Sequence, residues 1–92
     1  MDIFKLYIVN INLVGMEKAL VLLNVGSSDN GKAFENIKSH SNIIEAKMIY
    51  GPFDIYAICE GNNTAGIKRT VLELRNIVGV TSTVTCPIVK IE

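Results

Sequence analysis

The chain has few of the residues from which metal sites and disulfide frameworks are built. Its 92 residues include two cysteines, one histidine, two prolines and no tryptophan. Cys59 and Cys86 are far apart and belong to no CxxC motif, so we expect neither a zinc site nor a disulfide framework. We therefore predict no metal and no cofactor, and two unpaired thiols favour a reducing cytoplasm.

An excess of charge of one sign is also missing. Nine basic residues balance nine acidic ones, and the basic residues are scattered from Lys5 to Lys90. Binding to phosphates requires clustered cations, so we expect no direct contact with nucleic acid. The apolar stretch from Leu6 to Val14 is shorter than a membrane-spanning helix. A signal peptide has a basic start and a small-residue cleavage site, whereas this chain opens with Asp2 and has no A-x-A. We expect neither a membrane anchor nor secretion.

Apolar side chains, in contrast, are abundant. Hydrophobic residues make up 49% of the sequence, although only 7% are aromatic. A domain of this length buries only about 60% of its unfolded surface. The apolar surface that it cannot bury within itself predicts an interface with another subunit. We divide the chain into an N-terminal extension, residues 1–16, which could form an extra strand, and one domain, residues 17–92.

Six segments of that domain alternate between strand and helix patterns in the order βαββαβ. Short apolar or alternating runs predict strands over residues 19–25, 43–50, 53–60 and 80–89. Apolar residues at helical spacing predict one helix around residues 33–37 and a second from residue 67 to 78, which should end at Gly79 in a left-handed cap. In the second strand, one face should carry Ile44, Ala46, Met48 and Tyr50.

This order predicts an α+β, ferredoxin-like fold whose antiparallel sheet has the strand order 4-1-3-2 if both crossovers are right-handed. Strand 1 would then separate the strands of Cys59 and Cys86 by ~9.5 Å, which is too far for a disulfide. Both helices would cover one face, yet the third strand is apolar on both sides, with Phe53, Ile55, Ala57 and Cys59 on one and Tyr56 and Ile58 on the other. One of these two apolar faces would stay without helices. We expect a second sheet to pack there, giving a dimeric αβ barrel.

Polar residues near the predicted hairpin suit a zwitterionic ligand. Asp54 could accept hydrogen bonds from an ammonium group, and Thr81 or Ser82 could donate to a carboxylate. The same residues have a purely structural interpretation, because an aspartate can cap its own turn and threonine favours strands. The residues alone leave both interpretations open.

Two strings of the sequence are similar to a known family. The hairpin YGPFD and the ending IVGVTSTVT, residues 77–85, resemble the effector-binding (RAM) domain of the Lrp/AsnC family of feast/famine regulators, over about residues 18–89. The resemblance implies αβ dimers, which often assemble into octameric rings, with an amino acid or similar small metabolite bound between dimers. Carried onto this chain, it implies these effector-binding residues: Tyr50, Gly51, Pro52, Phe53, Asp54, Thr81, Ser82 and Thr83.

The sequence departs from the family pattern in two places. Ser41 and Asn42 replace the usual proline-glycine before the second strand, and residues 1–15 have no counterpart in the minimal domain. Most members also carry an N-terminal helix-turn-helix, and residues 1–16 are too few for one. The resemblance therefore implies a non-enzymatic sensing module that acts as a stand-alone homo-oligomer or by co-assembly with full-length Lrp/AsnC regulators.

Two other functions fit the same order of elements. One is an enzyme of the dimeric αβ-barrel type, such as a small monooxygenase; against it, the single histidine, His40, lies in a polar loop without paired carboxylates nearby in sequence. The other is an ACT-like amino-acid-binding regulator, whose ligand would lie at the loop after strand 1, residues 26–29. ACT dimers pair edge to edge, whereas we expect the sheets here to pair face to face.

Overall fold

The computed structural model describes residues 16–28 and 30–89. Apart from Met16, the predicted extra strand in residues 1–16 lies outside the described residues, and so does Asp29 of the loop after strand 1. Six elements follow one another in the predicted βαββαβ order: β1 (Glu17–Val25), α1 (Asn30–Lys38), β2 (Ile43–Met48), β3 (Ile55–Gly61), α2 (Thr64–Arg75) and β4 (Val80–Pro87).

The four strands form one antiparallel sheet in the order β2-β3-β1-β4, which is the predicted order counted from the other edge. The apolar strand β1 is central, as its composition predicts. Its Leu20 lies opposite Ile58 of β3 on one side and Cys86 of β4 on the other. The ferredoxin-like α+β prediction is thereby confirmed.

The hydrophobic core lies between the sheet and the two helices. Alternate residues of β1 and β3 point towards the helices, as the two-residue period of a strand requires. The fully buried members of this core include Val21, Leu23, Ile55, Ala57 and Cys59 from the sheet, and Ala33, Ile37 and Leu74 from the helices.

The other face of the sheet has no helix over it, and we call it the open face. Its apolar side chains form one patch, here called the open-face patch, of half-buried or exposed residues: Leu20, Leu22, Tyr56, Ile58, Val84 and Cys86. The Tyr56 hydroxyl donates a hydrogen bond to the carboxylate of Glu45, which lies beside it on β2. The prediction that both faces of the sheet carry apolar side chains is confirmed.

The second strand differs from its prediction. It ends at Met48, and its register with β3 shifts between Ile43 and Glu45, so Ile43 rather than Ile44 lies opposite Cys59. A bulge adds one residue and breaks the two-residue alternation. Of the four residues expected on one face, only Ala46 is buried: Ile44 and Met48 are half exposed, and Tyr50 is fully exposed.

The second helix begins and ends about three residues earlier than predicted. Its N-terminus is capped by Asn63, whose side-chain oxygen accepts a hydrogen bond from Gly66 N at 2.8 Å. It ends at Arg75, so Val78 lies beyond it with 78% of its surface exposed, and its predicted place on the buried face was wrong. Gly79 does adopt a positive φ of 100°, but in the turn before β4 and not as the helix cap.

The two cysteines lie on opposite faces of the sheet. Cys59 is buried beneath the helices, Cys86 is exposed on the open face, and both are free thiols. Because β1 lies between their strands, as predicted, this arrangement does not bring the two thiols together. Burial raises the pKa of the Cys59 thiol, because the thiolate would lose its solvation there.

Candidate functional site

The loop between β2 and β3, residues 49–54, is held against the end of β1. Ile49 N donates to the carbonyl oxygen of Asp54 at 2.9 Å, and Asp54 N donates to the carbonyl oxygen of Leu23 at 3.0 Å. Gly51 has a φ of 122°, a conformation that residues with a Cβ rarely adopt. The loop therefore has a defined shape, with Tyr50 projecting from it into solvent.

The Asp54 carboxylate joins this loop to β1. Its Oδ2 accepts a hydrogen bond from Val25 N at 2.9 Å. Oδ1 has no hydrogen-bond partner among the residues that the structure describes. The carboxylate thus has a structural contact through one oxygen and an available acceptor in the other.

Asn24 contacts the same carboxylate. The orientation of its amide follows from its neighbours: the nitrogen donates to Asp54 Oδ2 at 3.3 Å and to the carbonyl oxygen of Pro52 at 3.1 Å, while the oxygen accepts from Ser82 Oγ at 3.1 Å. Asn24 therefore bridges the hairpin and the start of β4.

An open depression of about 450 Å³ lies beside the hairpin. Its volume is within the range of small-molecule sites. It is formed by the hairpin, the end of β1 and the region that begins α1, and its lining combines apolar and polar side chains: Val25, Ser27, Asn30, Met48, Ile49, Tyr50 and Asp54. Among the described residues of this lining, Asp54 is the one carboxylate, and it suits a ligand with a positively charged group.

The structure brings some of the sequence-predicted residues together and not others. Tyr50 and Asp54 line the depression, Gly51 shapes the loop, Phe53 is half-buried beside it, and Pro52 contributes its carbonyl oxygen to Asn24.

The residues of β4 divide by the face on which they lie. Ser82 reaches the hairpin through Asn24, whereas Thr83 lies opposite Leu23 and points to the other side of the sheet. Thr81 falls at a shift in the register of β4 with β1, between the residues opposite Asn24 and Val25.

Sequence reasoning missed Asn24 and Val25. A backbone N–H leaves no signal in a sequence, but Asn24 did leave one. It is the single polar residue in the run ALVLLNV, where a strand covered on both faces should be apolar throughout.

The histidine occupies a structural position. His40 Nδ1 accepts from Asn42 N at 3.0 Å, so Nε2 carries the proton that it shares with Glu73 Oε1 at 2.7 Å. This contact links the end of α1 to α2, away from the hairpin. Among the described residues there is no group of three or more side chains able to hold a metal ion.

Within residues 16–28 and 30–89, no helix has the length and apolar character needed to cross a bilayer.

No family model matches the sequence. No curated protein matches it either. Solved structures do. FFRP-DM1 matches over 79% of this chain and 99% of its own length, with a TM-score of 0.74 and 18% identity. AsnC of E. coli matches over 87% of this chain and 56% of its own, with a TM-score of 0.77 and 15% identity.

A third neighbour is a complex with a ligand. It is the complex of the transcriptional regulator NMB0573 from Neisseria meningitidis with L-Met, which matches over 88% of this chain and 53% of its own, with a TM-score of 0.73 and 13% identity. The chain thus spans about half the length of AsnC and of NMB0573. At these identities the likeness establishes the fold.

The fold is one that transcriptional regulators contain over about half of their length. More particularly, it is the RAM-like fold of the Lrp/AsnC regulators, and the resemblance drawn from the hairpin and the last strand is confirmed at that level.

Proposed function

We propose that this chain is a non-enzymatic module that binds an amino acid or a similar small metabolite. The observation that carries the proposal is the depression beside the hairpin, with the Asp54 carboxylate in its lining. The regulator fold supports the proposal, and so does the L-Met complex of one regulator with that fold.

The chemistry of the depression suits a zwitterion with an apolar side chain. Asp54 Oδ1 would accept hydrogen bonds from the ligand ammonium, a charge-assisted contact. Ser27 and Asn30 provide polar groups for the carboxylate, and Met48 and Ile49 provide apolar surface for the side chain. A ligand of about the size of methionine would fill only part of the space and leave room for a neighbouring subunit.

We further propose that the module works as a homo-oligomer. The sheet spans roughly 400 Å² in projection, from four strands at ~4.8 Å and about six residues at ~3.3 Å. This projected area is comparable with the largest apolar patch that a monomer usually exposes. The apolar side chains of the open-face patch occupy the middle of it. A second copy packed face to face would cover it and complete a dimeric αβ barrel. Further association would build rings of up to eight subunits.

Full-length regulators such as AsnC and NMB0573 contain the same fold, and the surfaces through which such folds pair would be shared with this chain. We propose that the module, working in the cytoplasm, joins full-length Lrp/AsnC regulators and alters their assembly. Mixing it with an AsnC-type regulator should give mixed species in native mass spectrometry. Only homomeric species, with and without amino acids, would contradict this part of the proposal.

The binding proposal is tested by a thermal-shift screen of the twenty common amino acids. A ligand at 100 times its dissociation constant stabilises the folded state by ~2.7 kcal/mol. Asp54→Asn should remove the response, because the amide keeps an acceptor for Val25 N but loses the negative charge. Glu35→Gln is the matched control, since this exposed carboxylate of α1 is absent from the lining. A flat response of the wild-type protein to all twenty would refute the proposal.

A further inference from the structure

Asn24 is an unusual residue for its place in the fold. It lies near the end of the central strand β1, on the open face, in line with Leu20 and Leu22 of the open-face patch. Asparagine is disfavoured in strands, and a half-buried amide costs free energy unless hydrogen bonds replace those made with water. Its presence at this position requires partners.

The partners of Asn24 come from both halves of the candidate site. Pro52 and Asp54 belong to the hairpin, and Ser82 belongs to β4, which is far away in sequence. Among the described residues, no other side chain forms hydrogen bonds with both segments. The amide therefore joins two parts of the site that are not otherwise connected by side chains.

Its contact with Asp54 also affects how the carboxylate is oriented. Val25 N and the Asn24 amide both donate to Oδ2, at 2.9 Å and 3.3 Å. Two donors on this oxygen restrict rotation of the carboxylate about its bond to Cβ more than one donor would. A carboxylate that is already held in place before a ligand binds lowers the entropic cost of binding.

We propose that Asn24 is the positioning residue of the effector site. It holds Asp54 so that Oδ1 stays available to the cationic group of an amino acid, and it couples that carboxylate to Ser82 of β4. This inference rests on the proposed function, because it deepens the description of the same site. This role of Asn24 does not require contact between its side chain and the ligand.

Two variants test it. Asn24→Leu removes the amide and continues the apolar pattern of the open face. Asn24→Asp keeps the size and the acceptor for Ser82 but loses the donor and places a second carboxylate beside Asp54. If Asn24→Leu associates or folds abnormally, Asn24→Asp still decides the question.

The first measurement needs no ligand. Amide hydrogen exchange, followed by NMR, should be about tenfold faster at Val25 in both variants, while the exchange of buried amides in β3 keeps its wild-type rate. Ser82→Ala serves as the matched control, since it leaves the donation to Asp54 intact and should change the Val25 rate far less. An unchanged Val25 rate in both Asn24 variants would overturn the inference, whatever the protein binds.

The second measurement uses an equimolar mixture of the twenty common L-amino acids as the probe. The concentration that gives a half-maximal thermal shift should rise about tenfold in both variants, which is the effect of losing one well-placed hydrogen bond. Faster exchange at Val25 without any rise in that concentration would overturn the positioning role. If the wild-type protein ignores the mixture, the proposed effector class fails, while the exchange data still decide whether Asn24 holds Asp54.

Discussion

A charge placed in the open-face patch should prevent the proposed dimer without unfolding the subunit. Val84 is suitable because it lies on β4, an edge strand, opposite Leu22 on the open face, and contributes nothing to the core beneath the helices. In the single subunit 44% of its surface is exposed. We therefore expect Val84→Asp to weaken association strongly and to leave the fold intact.

The size of the effect follows from that exposed fraction. Complete burial of a valine side chain contributes ~1.5–3 kcal/mol, so covering the remaining part contributes ~0.7–1.3 kcal/mol. A two-fold interface buries the residue twice, which gives ~1.3–2.6 kcal/mol, or roughly a tenfold to eightyfold change in the dissociation constant. Desolvation of the introduced carboxylate acts in the same direction, so tenfold is the lower bound.

Sedimentation equilibrium over a range of concentrations measures that constant, and far-UV circular dichroism shows whether the subunit stays folded. Leu72→Asp is the control, because Leu72 is 57% exposed on α2, on the opposite side of the molecule. The control should associate as the wild type does. If Val84→Asp and wild type have the same dissociation constant, the open face does not form the interface.

Three further predictions concern the subunit itself. Cys86 should react quickly with a thiol reagent in dilute solution and slowly once dimers form, whereas Cys59 should react only on unfolding; equal rates for the two thiols would contradict the placement of these strands. Gly61→Ala should destabilise the fold by ~1–3 kcal/mol in urea denaturation, because its Cβ would lie 3.2 Å from a backbone nitrogen of α2, while Gly31→Ala, with open space around it, should be neutral or stabilising; a loss of the same size in both would refute the steric argument. The hydrogen bond to its glutamate partner on β2 raises the pKa of Tyr56, so the neutral phenol favours the folded state below about pH 10 and that contribution is lost as the pH rises through the raised folded pKa. Ultraviolet titration should show a late-ionising phenol that Tyr56→Phe removes, and its persistence in that variant would assign it elsewhere.

The order of elements and the sheet topology were predictable because each depends on a pattern repeated over several residues. The run from Ala19 to Val25 is apolar at nearly every position, which is typical of a central strand. Chain connectivity and the handedness of crossovers then leave few arrangements of four strands. These constraints tolerate errors at individual positions.

The errors occurred where a single residue decides the outcome. The bulge at Ile44 reverses which neighbours point inward, and no residue near it has a distinctive bulge signature. At the end of α2, Ile77 packs against the core while Val78 faces solvent, although both are apolar and either suits the sequence pattern. In both cases the local path of the backbone, and not the residue type, decides whether a side chain points towards the core.

For the candidate site, the sequence predicted the hairpin and its aspartate but not the contacts that orient them. The sequence is compatible with Asp54 as a ligand acceptor or as the cap of its own turn, and it gives no sign that the carboxylate also bonds to Val25 N, on a different strand. Contacts between residues that are distant in sequence depend on strand register. Single-residue preferences contain no information about that register, which is why Asn24 was overlooked.

The central position of β1 affects how the protein is made. The strand that leaves the ribosome first in this domain pairs on one side with the strand that leaves last, so its hydrogen bonds cannot be completed until almost all of the chain has emerged. Contacts so distant along the chain slow folding, and translation adds only about 5–20 residues per second. Until then the apolar segment ALVLLNV of the nascent chain has one edge without its hydrogen-bonding partner, and such an unpaired strand edge is prone to aggregation.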